Sequence, residues 1–242
     1  MPTILKEGVP TEGVPTGPVT VTLTLDPPVP AAALPPMIRP DRTALLIIDP
    51  QVDFIAPEGA IGQAGLDLGV VEPTLDRIRP LLAAARAAGV PPVFIRVITR
   101  PETDGVALKA LYERRGWPAE AVGICRAGTP GADYHGVAPR PGEMEVEKVL
   151  FSAFAGTDFE ARLRAQGIDT LVVCGFTTEC CVDCTVRDAF HRDFHVFIVA
   201  DACAAYEPAL HWGALHALSK NCALLVESGD VAAAWDRARV DA

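Results

Sequence analysis

The 242-residue chain has no unbroken apolar run near the roughly 18 residues a membrane-spanning helix requires. Its first residues hold one lysine and no apolar segment follows them, so no secretory signal is visible. Seven cysteines are too thinly spread over this length for a disulfide-framed mini-protein, and their number is odd. The expectation is therefore reduced thiols and a cytoplasmic location. Positive charge is also scarce. Against 31 Asp and Glu stand 21 Lys and Arg, a formal net charge of −10. Such a surface repels phosphate backbones and anionic lipid, which argues against nucleic-acid and membrane partners but not against a small substrate in a local pocket. Aromatic residues make up only 6%, yet half the chain is hydrophobic, which excludes whole-chain disorder and supplies one large core.

The chain divides unevenly. Ten of the 22 prolines fall in the first 40 residues, where Glu7-Gly8-Val9-Pro10-Thr11 is repeated at once as Glu12-Gly13-Val14-Pro15-Thr16. Two copies do not make a solenoid, and residues 1–40 are read as an extended, proline-stiffened arm. Within it, residues 19–25 alternate Val or Leu with Thr. That suits either an exposed strand at a sheet edge or subunit contact, or a disordered tail.

From residue 41 onward the pattern is regular. Short apolar runs at 44–48, 93–98, 146–150, 170–174, 196–199 and 223–226 lack alternation, as strands buried on both faces do. Helices are expected between them at 73–88, 157–166, 181–194 and 207–219, and a last one at 230–238; Thr157 is read as the cap of the second. Strand and helix alternating in this way predict one α/β domain over 41–242, a doubly wound parallel sheet with helices on both faces. Residues 99–144 are irregular, with one helix expected near 107–115, and loops of that length often cover substrates. Ligands of such sheets bind outside the carboxyl ends of the strands.

Three polar features stand at those ends. Asp49 closes the run Leu45-Leu46-Ile47-Ile48; it either caps the next turn, a role Asp53 could share, or does chemistry. Lys148 stands in an apolar run and needs a partner or, on an edge strand, an outlet to water. The segment Gly175-Phe176-Thr177-Thr178-Glu179-Cys180-Cys181-Val182 joins a buried strand to a helix. A cysteine there meets unpaired backbone N–H groups that favour a thiolate and can hold an oxyanion. Two rival readings use the same residues. Cys181-Val182-Asp183-Cys184 is a C-x-x-C pattern compatible with a redox pair or zinc, but no second C-x-x-C supplies further ligands. His191 and His195 are spaced as a ligand pair across an expected helix end. A Cys–His protease is weak, because none of the histidines at 135, 191, 195, 211 and 216 ends an apolar run.

Leu46-Ile47-Ile48-Asp49-Pro50-Gln51-Val52-Asp53-Phe54, Lys148-Val149-Leu150-Phe151-Ser152-Ala153-Phe154 with Thr157 following, and the stretch from Gly175 through Cys181-Val182 to Ala189, with Asp201-Ala202-Cys203 after it, occur in one order. Together they resemble the isochorismatase-like cysteine hydrolases over about residues 40–230; the first 40 residues lie outside the resemblance. It implies Cys181 as nucleophile, Asp49 as general base and acid, and Lys148 as the cation that stabilises the thiolate. It also implies a cis Phe176–Thr177 peptide, and an oxyanion hole formed by the N–H groups of Thr177 and Cys181. No cofactor and no metal are implied. The presence of Cys181 points to C–N rather than vinyl-ether cleavage. Residues 96–104 lack the histidine of the metal-dependent nicotinamidases. The expected partner is a small amide or ureido substrate of the ureidoacrylate, biuret, carbamoylsarcosine or maleamate type, and the resemblance further implies a homo-oligomer. The alternatives are isochorismate or another non-amide substrate, or a silent metabolite-binding chain. For substrate contacts, Arg100 is read as a carboxylate clamp or a surface residue beside Glu102. Phe54, Phe154 and Phe176 are read as pocket wall or plain core, and Trp117 as a lid residue.

Overall fold

The computed structural model describes residues 24–240. Six strands follow the expected apolar runs: β1 (Thr43–Ile48), β2 (Pro92–Val97), β3 (Met144–Lys148), β4 (Thr170–Phe176), β5 (His195–Ala204) and β6 (Leu224–Val226). They form one sheet in the order β3-β2-β1-β4-β5-β6, every pairing parallel. β1 and β4 are buried along their whole length, which is why their sequences show no alternation. The winding direction reverses between these two central strands, and in doubly wound sheets ligands bind outside the carboxyl ends at such a reversal.

Helices cover the sheet. The longest, Val71–Ala88, buries Val71, Leu75, Ile78, Leu82 and Ala85 along one stripe, carries Glu72 in its first turn and Arg86 in its last, and stops at Gly89, whose φ of 75° is left-handed. It packs against Ser228–Val240, while Asp183–Phe190 packs against Pro208–Asn221. The expected helix at 107–115 is Val106–Arg114. No helix among the described residues is long and apolar enough to cross a membrane.

Several expectations need correction. Of the arm expected over 1–40, residues 1–23, with most of the strand expected at 19–25, lie outside the described residues. The remainder is not an extended arm. The Val29 N–H donates to Leu225 O on the edge strand β6, and Ala31–Ala33 and Leu34–Met37 form short helical turns. Leu34 and Ile38 are buried in the core, and the Trp235 indole donates to Ile38 O at 3.0 Å. Apolar burial of about 2 kcal/mol per side chain makes this segment part of the domain. The run 146–150 ends as a strand at Lys148, and Val149, Leu150 and Phe151 leave the sheet exposed. The helix expected over 157–166 runs Phe159–Ala165, and the Thr157 hydroxyl before it accepts from the Phe159 N–H at 3.4 Å while donating to Ala153 O at 2.6 Å. In place of the helix expected over 181–194, a π-helical turn, Thr178–Val182, leads into a helix that runs Asp183–Phe190.

Candidate active site

β3 is the edge strand, yet Lys148 does not point out. Along β3, Glu145 and Glu147 are exposed while Val146 and Lys148 turn inward, the alternation of a strand with one covered face. The Lys148 side chain passes the end of β2 and donates to Asp49 Oδ2 at 2.8 Å and to Leu150 O at 3.0 Å. Lysine and aspartate are each 1% exposed. The second carboxylate oxygen, Oδ1, is buried and takes no hydrogen bond among the described residues. Asp49 itself has a φ of 51°, which turns its side chain away from the strand path. It makes no cap.

Cys181 comes to this pair from the other side of the sheet's switch point. The chain leaves β4 through Gly175, whose φ is 123°; a Cβ there would stand 2.2 Å from Ile48 O. Only glycine allows β4 to press this closely on the end of β1. The Phe176–Thr177 peptide is cis. The turn Thr178–Val182 then delivers Cys181, 6% exposed, beside Asp49 and Lys148, close enough for each to act on the others' ionisation. The N–H of Thr177 makes no hydrogen bond among the described residues.

The electrostatics follow from burial. Desolvation pushes the Asp49 carboxyl above its usual range, against the lowering pull of Lys148 and Cys181. Burial pulls the Lys148 ammonium down, but Asp49 and Cys181 outweigh it and hold it above the ordinary lysine value. The Cys180 side chain, burial and the Asp49 carboxylate push the Cys181 thiol up, with Lys148 opposing. The half-buried Cys180 is shifted the other way, lowered by its hydrogen bond with Cys181. Burial and the Asp49 charge thus favour the protonated thiol at Cys181, beside a carboxyl group with one oxygen left without a hydrogen bond among the described residues and a lysine held above its ordinary value. That is the state a general-base mechanism starts from.

Supporting contacts explain the flanking motif residues. Ser152 donates to Asp188 at 2.5 Å and the Ala153 N–H to Thr185 at 3.2 Å, tying the chain after Lys148 to the helix that follows Cys181. Gln51 is fully buried; it donates to Val97 O and Ala132 O and accepts from the Val97 N–H, joining the ends of β1 and β2 to the irregular segment. The Asp53 carboxylate accepts from the N–H groups of Cys125 (2.6 Å) and Ala60 (3.0 Å). Thr178 Oγ1 and His211 Nδ1 share a hydrogen bond at 2.8 Å that fastens the Cys181 turn to the helix Pro208–Asn221. Sequence reasoning had no signal for Gln51 or His211, because nothing in their neighbours' spacing marks a contact 46 or 33 residues away.

The substrate-contact candidates fare differently. Phe54 is half-buried, and its carbonyl accepts from the Tyr206 hydroxyl at 2.8 Å. Phe176 is buried at the end of β4. Phe154 is drawn into an aromatic cluster with Phe159 and Phe194, at centroid distances of 4.9 and 5.8 Å, with the Arg192 guanidinium over its ring. It is a core residue there. Arg100 lies 3.6 Å from Glu147, not Glu102, and Glu147 projects from the opposite face of β3 to Lys148. No hydrogen bond ties Arg100 to Asp49, Lys148 or Cys181. Trp117 is exposed and packs on Tyr112, with Arg115 over its ring. The C-x-x-C cysteines are free, as are the other cysteines of the chain. Among the described residues no three His, Cys, Asp or Glu side chains converge in a metal-binding group. A separate cavity of about 670 Å³ lies at the amino ends of β4 and β5, lined among others by Arg42, Asp169 and His195, at the opposite end of the sheet from Asp49.

Comparison with known proteins bears on the family and the fold. The sequence pattern of the isochorismatase domain matches residues 43–230. The ureidoacrylate amidohydrolase RutB of Methylobacterium radiotolerans is 33% identical over 199 residues, covering 77% of this chain and 76% of that protein. A cysteine hydrolase from Pseudomonas syringae pv. phaseolicola superposes with a TM-score of 0.73 at 28% identity, covering 83% of this chain and 95% of that one. N-carbamoylsarcosine amidase from Thermoplasma acidophilum superposes at 0.61 with 26% identity, covering 77% and 96%. With its parallel sheet, the reversal of winding between β1 and β4 and the matched span of residues 43–230, the chain belongs to the isochorismatase family of hydrolases.

Proposed function

We propose that the chain is a cysteine-dependent amidohydrolase that cleaves a C–N bond of a small amide or ureido compound and releases ammonia. The observation that carries this reading is the buried Lys148–Asp49 pair with Asp49 Oδ1 left free beside Cys181. Relatives named as ureidoacrylate amidohydrolase and carbamoylsarcosine amidase support the amide class.

In the proposed sequence Asp49 takes the Cys181 proton as the thiol attacks the carbonyl carbon. Lys148 balances the negative charge that is then shared between sulfur and carboxylate. The carbonyl oxygen becomes an oxyanion facing the N–H groups of Thr177 and Cys181, donors worth about 3 kcal/mol each by analogy with other oxyanion holes. Protonated Asp49 passes its proton to the leaving nitrogen, ammonia departs, and a thioester remains on Cys181. Water, deprotonated by Asp49, attacks the thioester and frees the acid. A raised carboxyl pKa suits a residue that must be base and acid in turn. The residues supply every proton transfer without a cofactor. Reduced cytoplasmic thiols and a homo-oligomeric assembly belong to the same proposal.

The test is ammonia release over a panel containing ureidoacrylate, biuret, carbamoylsarcosine, maleamate and nicotinamide, with Cys181→Ala alongside. Release by the parent chain and none by the variant is the expected result. Equal release by both would overturn the mechanism.

A further inference from the structure

The pairing of β1 with β2 is regular up to Ile48, opposite Ile95, and the last backbone bond of that ladder runs from the Asp49 N–H to Ile95 O at 2.9 Å. In a parallel pair, every second residue of a strand turns its N–H and C=O toward a given neighbour. After Ile95, the next residue of β2 to do so toward β1 is Val97. A straight β1 would meet it with the Asp49 C=O and the Gln51 N–H. Those two groups are bonded to each other instead, at 2.8 Å, across a bend in which Asp49 has a φ of 51°.

The Gln51 side chain takes both vacated places. Its Oε1 accepts from the Val97 N–H at 2.7 Å, and its Nε2 donates to Val97 O at 2.8 Å and to Ala132 O at 3.0 Å. One N–H and two carbonyls as partners fix which end of the amide is which. The residue is fully buried. Satisfying the backbone gives no reason for this exchange, because a straight strand would serve the same Val97 groups without ordering a long side chain. What the exchange changes is the direction of Asp49. Released from the ladder, its carboxylate leaves the strand path and meets Lys148 Nζ at 2.8 Å. Val97 is also the partner of Lys148 in the β2–β3 ladder, and the Ile98 N–H donates to Lys148 O at 2.9 Å. One amide therefore supports both members of the buried pair, Asp49 through the bend it permits and Lys148 through the strand it holds.

We propose that Gln51 is a positioning residue of this site, whose side-chain amide replaces the backbone of β1 as the partner of Val97 and so frees Asp49 to set its carboxylate on Lys148. The proposal rests on the reading of Asp49, Lys148 and Cys181 as the reacting groups. Gln51 acts through the backbone and through Val97, not on the substrate.

Gln51→Met and Gln51→Glu test it, with kcat expressed per folded molecule. Methionine is of similar length and makes none of the three bonds, so Asp49 is drawn back into the ladder and away from Lys148. Ammonia release from the best amide of the panel should then show kcat at least about 100-fold lower with KM within about 3-fold of the parent. Loss of the carboxylate also leaves the lysine as the uncompensated charge beside Cys181, which favours thiolate. The pH midpoint of Cys181 alkylation by iodoacetamide, mapped by peptide mass, should fall by about one unit or more. This readout needs no substrate, and a residue that only supports the fold would lower the folded fraction without moving it. Glutamate is the conservative variant and keeps the test open if Gln51→Met fails to fold. While protonated, its carboxyl accepts from the Val97 N–H and donates to one carbonyl; once ionised it donates to neither. The ratio of its kcat to that of the parent should be near one in acid and fall at least about 10-fold between about pH 5 and pH 10. A kcat within about 3-fold of the parent in Gln51→Met, a loss confined to KM, an unmoved Cys181 midpoint, or a Gln51→Glu ratio flat with pH would overturn the assignment. Failure of the hydrolase reading shows separately, as absence of ammonia from every amide with the unaltered chain; the alkylation midpoint then still decides for or against Gln51.

Discussion

Lys148 Nζ lies 2.8 Å from Asp49 Oδ2 although Lys148 ends β3 and Asp49 follows β1, strands that are not neighbours. Strands pair about 4.8 Å apart, so β3 and β1 stand roughly 10 Å apart across β2, and only a long side chain turned inward from β3 closes that gap. Two buried charges in contact make each the other's main compensation.

Removing one of them exposes the other. Lys148→Met leaves Asp49 buried without its cation and should cost about 3 kcal/mol of stability at neutral pH. In the variant the carboxyl pKa rises further, because the lowering pull of Lys148 is gone and burial remains. A group whose folded-state pKa lies above its unfolded value stabilises the fold as the pH falls through the folded value. The deficit should therefore shrink on acidification, which urea denaturation at neutral and acidic pH will show. The acid limb of any residual kcat/KM should move to higher pH. A deficit equal at both pH values would mean that Asp49 is not the strained group.

Cys180 and Cys181 are adjacent, and their thiols shift in opposite directions. Cys181 alone is buried against Asp49 and Lys148. Cys181→Ser should lower kcat at least about 10³-fold with the fold intact, whereas Cys180→Ser should stay within about 5-fold of the parent. Intact-mass detection of a trapped acyl group on Cys180→Ser, and its absence on Cys181→Ser, is the accompanying check. The reverse pattern would make Cys180 the nucleophile.

Gly175→Ala places a Cβ 2.2 Å from Ile48 O at a φ of 123°. Backbone on both sides leaves no flexible atom to give way, so a stability loss of about 3 kcal/mol or more is expected. Since Ile48 precedes Asp49, activity should fall even in the fraction that stays folded. Thermal unfolding together with activity per folded molecule separates the two effects.

Arg86 grips Glu143 through two hydrogen bonds of 2.7 Å, joining the longest helix to the turn that leads into β3. That contact holds the Glu143 carboxyl below its ordinary value of 4.5. A depressed folded-state pKa gives stability that is present above the unfolded value and lost as the pH falls through the folded one. Glu143→Gln should thus cost about 1 kcal/mol near neutral pH and little in strong acid, as measured by denaturant midpoints at the two pH values.

Much of the molecule was legible along the chain. Strands buried on both faces show as unbroken apolar runs, and β1 and β4 fell where those runs lie, whereas β5 continues past its run 196–199 to Ala204. Boundaries were less clear where two influences overlap. Val149 and Leu150 are as apolar as the strand before them, but the sheet edge has no further partner to offer, and the chain leaves it after Lys148. Residues 25–38 read as an arm because prolines dominate them. Yet Leu34 and Ile38 find apolar partners contributed by a helix two hundred residues away. Position along the chain could not show that Phe154 would pack on Phe194 or that Arg100 would lie by Glu147.

By itself, the order of residue types determined the sheet class and which three polar side chains stand at strand ends, because periodicity and chain direction are local properties. Tertiary structure alone decided that Lys148 on an edge strand turns inward to Asp49, that Gly175 brings β4 against Ile48, and that the Gln51 side chain bonds Val97 in place of the backbone of β1. Each of these depends on a contact between segments far apart in sequence. Such contacts are set by packing in three dimensions, where a side chain's charge and its desolvation are settled together.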